Sequence, residues 1–343
     1  MIGIGIDPSV CFVYHEFMDS FDVVAVGNAK VDIFLQVHDT NKHFRLDPES
    51  GELCIRSGDK ASIDSASIVI GGNAASVTVG ISRMGFKSAI FAEIGSDEFA
   101  DKIINTLNSE KVSEKFIKKT QSASSFSVII NYKNDRTIFT EHVQRDHDFS
   151  FENLSTKWVY LTSMGNKWHD AYRKTVDYVK NNNIKLAFNP GSMQLSEGAE
   201  SFREVLEIAE ILFINKEEAK GIASLDIQFP DDRQGYLDNM QKLLTAVKNT
   251  GPKTVVITDG ERGSHLIDED GKFMSEPIKE TVVVQKTGAG DAFASGFLSA
   301  ILSGQNNNNA MKWGKENAAS VIGQTGATKG LLNRNQIESL LKN

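Results

Sequence analysis

The sequence predicts an α/β fold: a doubly wound, mostly parallel sheet with helices on both faces, plus a small antiparallel β lid. Three observations lead there. Short continuous apolar runs alternate with longer stretches whose apolar residues recur three and four apart, as buried strands followed by amphipathic helices do. No linker of biased composition divides the 343 residues, so one large unit with an appendage is expected. Two regions depart from this rhythm by alternating apolar with polar residues, the pattern of strands with one wet face.

Taken in order, residues 1–20 carry neither period and are expected to form an N-terminal extension, with Met18 able to open the folded chain. The α/β domain is then 21–343. Apolar runs at 22–26, 88–94, 158–162, 185–188, 211–214 and 254–258 read as strands buried on both faces. Between them, 73–84, 97–109, 169–180 and 234–248 have helical spacing. Strand then helix, repeated, implies a parallel sheet covered on its faces. The alternating segments, about 31–70 and 124–145, form the lid. Within the second, 126–132 and 137–143 flank Lys133-Asn134-Asp135-Arg136, whose Asn and Asp suit a hairpin turn. Such a lid would stand over the carboxyl ends of the parallel strands, where open α/β sheets bind ligands.

Bulk composition excludes several functions. A net charge of -8 argues against a broad surface for the nucleic-acid backbone, and no apolar run approaches the length of a membrane span. Residues 1–20 lack the basic end and apolar core of a signal peptide, which leaves a cytoplasmic protein as the expectation. Two cysteines, Cys11 and Cys54, are too few for a disulfide framework. His142 and His147, flanked by Asp146 and Asp148, are spaced unlike a common two-histidine metal motif and read as a polar loop.

The sharpest signal is Thr287-Gly288-Ala289-Gly290-Asp291-Ala292-Phe293, between the strand-like Val282-Val283-Val284 and a small-residue helix running toward Leu302. A glycine turn opening a helix presents backbone N–H groups and the positive end of the helix dipole, which suits phosphate. A carboxylate in such a turn would repel the anion. Asp291 is better explained as a general base that takes a proton from a substrate hydroxyl, although alone it could merely complement the helix dipole. Its company favours the base. Asn215-Lys216-Glu217-Glu218 follows a strand and brings Glu218 to the ligand edge of the sheet, where one carboxylate acting through water suits magnesium. Thr258-Asp259-Gly260-Glu261-Arg262-Gly263 ends another strand and could approach nucleotide phosphates. Gly71-Gly72-Asn73-Ala74-Ala75 opens a helix after the lid segment, and Gly27-Asn28-Ala29-Lys30-Val31-Asp32 follows the first strand.

From Phe21 to the C-terminus these motifs, in this order, resemble the ribokinase-like, PfkB-type carbohydrate kinase family, which also includes adenosine and other nucleoside kinases. Residues 71–85 resemble its first signature and 287–300 its second, more specific one, while Asn215 to Glu218 matches its Asn-x-x-Glu element. The resemblance implies an ATP-dependent phosphotransferase with magnesium-ATP as donor. It makes Asp291 the base and Gly288, Ala289 and Gly290 the anion hole. Asp32, Gly71, Gly72 and Asn73 would touch the substrate hydroxyls. Asn215, Thr258, Gly260, Gly263, Thr287 and Asn317 would bind nucleotide, and Glu218 would hold magnesium, through water. It also implies a homodimer paired through the lids.

The sequence departs from the family in places. Gln285 and Lys286 stand where the family has Asp-Thr, and that Asp belongs to a monovalent-cation site, so potassium activation is not carried over. The Lys286 ammonium is a candidate replacement for the cation. Ser76 stands where many sugar kinases have an asparagine that touches substrate. Sugar is the principal acceptor expected. A nucleoside is the alternative, with Phe34, Phe44 or Phe126 as candidates to stack a base, and a phosphorylated sugar would need a basic lid residue such as Arg145. A sensor of sugar or nucleotide that has lost the chemistry is disfavoured by the intact Asp291, glycine turn and Glu218.

Overall fold

The computed structural model describes residues 19–133, 135–141 and 143–342. The expected extension and His142 therefore lie mostly or wholly outside the described residues, and the first strand begins at Asp19, inside the segment assigned to the extension.

The described residues form fifteen strands: β1 (Asp19–Val26), β2 (Lys30–Gln36), β3 (Phe44–Leu46), β4 (Leu53–Ile55), β5 (Ser65–Gly71), β6 (Ser88–Ile94), β7 (Ile117–Lys119), β8 (Phe126–Tyr132), β9 (Asp135–Thr140), β10 (Leu154–Thr162), β11 (Lys185–Asn189), β12 (Ile211–Asn215), β13 (Thr254–Thr258), β14 (Ser264–Ile267) and β15 (Phe273–Glu276). Nine of them make the main sheet, in the order β15-β14-β13-β12-β11-β10-β1-β6-β7. It is parallel from β13 to β7, and β14 and β15 close one edge in antiparallel fashion.

The helices are α1 (Asn73–Arg83), α2 (Glu98–Ser109), α3 (Trp168–Asn182), α4 (Ser192–Ser196), α5 (Arg203–Ile208), α6 (Lys216–Ala223), α7 (Arg233–Lys248), α8 (Ala289–Leu302), α9 (Asn307–Ile322) and α10 (Arg334–Lys342). Alternate residues of the strands feed two separate apolar cores, one on each face of the sheet. Val23, Ala25, Ile90 and Tyr160 pack with α1, α2, α8 and α9, whereas Val24, Val26, Val159 and Leu161 pack with α3, α5, α6 and α7. Burial on both faces is why these strands read as continuous apolar runs. No helix among the described residues is long and apolar enough to cross a membrane.

The lid is a second sheet, β5-β2-β8-β9, with β3 and β4 pairing beside it. Its β2·β5 and β8·β9 pairs are antiparallel and its central pair, β2·β8, is parallel. Val282, Val283 and Val284 correct the reading as a strand: they lie in an irregular segment and are 81%, 48% and 51% exposed. β propensity alone produced that expectation, and among the described residues no strand pairs with them.

Candidate active site

Three contiguous cavities run along the carboxyl ends of the parallel strands, under the lid. The middle one is lined by Asn73, Asn189, Asn215, Glu218, Thr258, Lys286 and Thr287, by Gly288 to Asp291, and by Arg136 of the lid. The second shares Asn73, Asn189 and Glu218 with it, and adds Asn28, Lys30, Gly72, Thr140, Ser163, Met164, Ser192 and Met193. The third shares Thr258, Ala289, Gly290 and Phe293 with the middle one, and continues between Gly260, Gly263, Ile278, Ala318, Ala319 and Ile322.

Gly288 caps α8 with φ 83°, a left-handed conformation that favours glycine, and a Cβ there would come within 2.5 Å of the Ala327 Cβ. This cap starts the helix at Ala289, so the first-turn N–H groups, which have no intrahelical acceptor, face the middle cavity beside Asp291. The helix-start amides of the glycine turn and the Asp291 carboxylate are thus side by side.

Asp291 is buried, 9% exposed, at the floor of that cavity. Its Oδ1 accepts a 3.0 Å hydrogen bond from Asn73 Nδ2, and Asn73 Oδ1 in turn accepts a 2.8 Å bond from Ser163 Oγ. Asn73, expected to touch substrate, is therefore engaged in orienting the carboxylate. Burial pushes the Asp291 carboxyl up to about 7; the Asn73 hydrogen bond and Lys30 pull it down, and the Asp32 and Glu218 charges push it further up. Asp32 is 4% exposed and raised by the same burial, and its Oδ1 has no partner among the described residues. Gly71 is needed beside it, because a Cβ at 71 would lie 2.1 Å from Asp32 Oδ2.

Asn215 and Glu218 form a reciprocal cap at the start of α6. The Asn215 side chain accepts from the Glu218 N–H at 2.9 Å, and Glu218 Oε2 accepts from the Asn215 N–H at 2.8 Å. The other Glu218 oxygen is left for the cavity, and burial raises this carboxyl as well. One fixed carboxylate with a free oxygen facing a polar cavity fits magnesium held through water. Among the described residues no group of three His, Cys, Asp or Glu is arranged to hold a metal.

Thr258, Gly260 and Gly263 line the third cavity, and Thr287 the middle one. Asn317 does not join them. It is fully buried, donates to Ala292 O and Ser295 Oγ, and accepts from the Leu332 N–H, so its amide ties α9 to α8 and to the chain beyond; Ala318 and Ala319 line the cavity instead. Ser76 is buried within α1. Arg145 is buried too, its guanidinium bonded to Thr120, Ser122 and the Ala123 carbonyl, which leaves it poorly placed to receive a phosphate. None of the aromatic candidates lines the second cavity: Phe34 and Phe44 are buried in packing and Phe126 lies against Phe99.

Sequence reasoning gave no site role to Lys30, Arg136, Ser163, Asn189 or the Ser192-Met193 pair. Lys30 and Arg136 are carried by the lid, and the others stand at ends of main-sheet strands or just beyond. No local motif marks them; only the fold brings them to the cavities.

Comparison with known proteins agrees with this architecture. A profile described as "pfkB family carbohydrate kinase" matches residues 39–334. A 5-dehydro-2-deoxygluconokinase of Clostridium beijerinckii is 22% identical over 297 residues, covering 80% of this chain and 84% of that protein. A nucleoside kinase of Methanocaldococcus jannaschii is 25% identical over 247 residues, 71% of this chain and 75% of its own. The structure of Arabidopsis thaliana ribokinase complexed with ribose and ATP superposes with a TM-score of 0.75 at 18% identity, over 95% of this chain and all (100%) of that one.

Proposed function

The chain belongs to the pfkB family of carbohydrate kinases, and on that premise we propose that it transfers the γ-phosphoryl group of ATP to a hydroxyl of a sugar, with Asp291 as general base. The observation that carries this reading is the meeting, in one cavity, of the Asp291 carboxylate and the N-terminal amides of α8. A cavity for a polyol opens on one side of that point and an apolar slot for a nucleotide on the other.

In the reaction, the acceptor hydroxyl hydrogen-bonds to Asp291 and gives up its proton to the carboxylate as its oxygen bonds to the γ-phosphorus. The bond from that phosphorus to the bridging oxygen breaks, and its electron pair leaves on ADP. The amides of Ala289 and Gly290 stabilise the charge on the phosphoryl oxygens, the electrostatic contribution expected to dominate such transfers. Arg136 and Lys286, which line the same cavity, add positive charge. Magnesium, held by Glu218 through water, would neutralise charge on the donor phosphates.

A sugar is favoured over a nucleoside by the second cavity. It has a volume of about 250 Å³, is rimmed by Asn28, Ser163, Asn189 and Ser192, and has no aromatic ring on its wall, whereas a nucleobase wants a stacking surface. The proposal also includes a homodimer through the lid. Ile68, Ile33, Val128 and Phe139 lie in register across one lid face, and its end members are 46% and 55% exposed, an apolar row suited to a second copy.

The test is release of ADP from magnesium-ATP against a panel of pentoses, hexoses, their acids and phosphates, and nucleosides. A sugar or sugar derivative with a clear lead in kcat/KM supports the assignment; a leading nucleoside, or no turnover at all, overturns it.

A further inference from the structure

We propose that the acceptor is an acidic sugar, whose carboxylate or phosphate is bound by Lys30 while its reacting hydroxyl lies at Asp291. This rests on the kinase reading above and names the substrate class of the same site.

Lys30 opens the lid strand β2 and borders the second cavity. Across the sheet it pairs with Gly71, over which the Asp32 carboxylate lies. Its ammonium donates one hydrogen bond of 2.7 Å to Ser127 Oγ, and Ser127 is held 3.0 Å from Thr140 Oγ1, so the head group is fixed against the lid base. No carboxylate forms an ion pair with it among the described residues, although the buried Asp32 and Asp291 carboxylates both feel its charge, and an ammonium bonded only to Ser127 has two further protons to donate. Half-buried and with one neutral hydrogen-bond partner, the ammonium is free to donate those protons to a ligand anion at the edge of the cavity.

Among the residues lining this cavity Lys30 is the only cation. Glu218 is the one other charged side chain on its wall, and one of its oxygens is engaged by the Asn215 N–H. Behind the cavity lies a small closed pocket that shares Asn28 and Lys30 with it and is completed by Glu93, Arg145 and His147. His147 is 4% exposed and its Nε2 has no partner there, so an unsatisfied polar nitrogen backs the same corner. The remaining wall suits a polyol: Asn28, Ser163, Ser192 and Asn189 offer hydroxyl partners, and Met164 and Met193 cover its apolar edges.

The geometry also connects this corner to the chemistry. Asn73 lines the cavity that holds Lys30, and its Nδ2 is 3.0 Å from Asp291. A chain of several carbons, anionic at one end and carrying the reacting hydroxyl at the other, spans the two.

The experiment compares matched acceptors: gluconate against glucose, ribonate against ribose, 2-ketogluconate against fructose, and, in a separate arm, ribose 5-phosphate and fructose 6-phosphate. Each is measured with the wild type and with Lys30→Met, Lys30→Gln and Lys30→Arg. ADP release gives kcat/KM, and calorimetry without ATP gives binding. The expected result is an acid-to-neutral preference in the wild type that falls by about ten- to a hundredfold in Lys30→Met and Lys30→Gln, the worth of a charge-assisted hydrogen bond, and that Lys30→Arg partly restores. The two arms decide between carboxylate and phosphate.

A wild type that prefers neutral acceptors, or substitutions that lower acid and neutral acceptors by the same factor, would overturn the proposal. If an acid binds in a Lys30-dependent way but nothing is phosphorylated, the anion site stands and the kinase reading fails. If a neutral sugar is phosphorylated and no acid binds through Lys30, the reverse holds. Two neutral substitutions are made so that misfolding of one, seen in its melting curve, leaves the other to decide.

Discussion

Replacing Asp291 with Asn should make the enzyme nearly inactive and, above neutral pH, more stable. Burial lifts the Asp291 carboxyl from 3.8 to about 7. A group whose folded pKa is raised contributes stability that is complete below the unfolded value and is lost as pH rises through the folded one. A rise of about three units corresponds to at most about 4 kcal/mol withheld from the folded protein above pH 7. Asparagine keeps the acceptor for Asn73 Nδ2 and carries no charge, so it should recover a good part of that. For a chain of this size the gain is a melting point higher by roughly 5 °C at pH 8, shrinking by more than half toward pH 5.

The same titration governs the rate. With the free enzyme's base near pH 7, kcat/KM in the wild type should fall by about tenfold between pH 8 and pH 6. In Asp291→Asn, turnover should fall at least about a hundredfold, with acceptor binding nearly unchanged. The assays are scanning calorimetry from pH 5 to 8, ADP-release kinetics over the same range and acceptor titration by calorimetry. An unaltered rate in the variant would remove the base assignment. A melting-point difference that does not grow with pH would refute the claim that the carboxylate is strained by burial.

Three further outcomes follow from named side chains. Arg136 sits on the cavity wall from lid strand β9, so Arg136→Met should lower kcat by about tenfold or more and change acceptor affinity little; an unchanged kcat would place Arg136 outside the reaction. Lys286 lines the same cavity, beside a buried Gln285 whose amide has no partner among the described residues. If its ammonium does the work of a monovalent cation, turnover should be about equal in potassium and in a bulky organic cation, and a strong potassium dependence would refute that. Phe139→Asp, at the exposed end of the lid's apolar row, should give a monomer by light scattering at micromolar concentration. A dimer that persists would remove the lid as the interface.

How far the sequence could be read depends on whether the determining physics is local. The strands Ser88–Ile94 and Thr254–Thr258 are buried on both faces along nearly all their length and are built on the apolar runs 89–92 and 255–257, so their bounds are legible to the residue. The glycine turn is equally local, because its φ and its helix cap belong to consecutive residues. Val282 to Val284 failed because β propensity describes a side chain's fit to a pleated surface, and among the described residues no strand pairs with them. Asn317 failed for a related reason. A helix places its residues about 100° apart, so a one-residue difference in register separates a cavity-lining Ala318 from an asparagine whose amide is taken up between helices.

The lid residues were beyond local reading altogether. Lys30 and Arg136 are ordinary charged residues in alternating strands, and a charge on such a strand is by default a solvated one. What brings them to the cavities is β2 running parallel to β8, which sets Asp32, Ser127 and Thr140 in one row across three strands, with β9 beside β8 carrying Arg136 to the middle cavity. The proposed catalytic groups are therefore legible in short motifs. The proposed acceptor contacts depend on cross-strand register, and any variant that slips β2 against β8 by one residue would turn Lys30 and Asp32 to the other face of the lid while leaving Asp291 and its glycine turn in place.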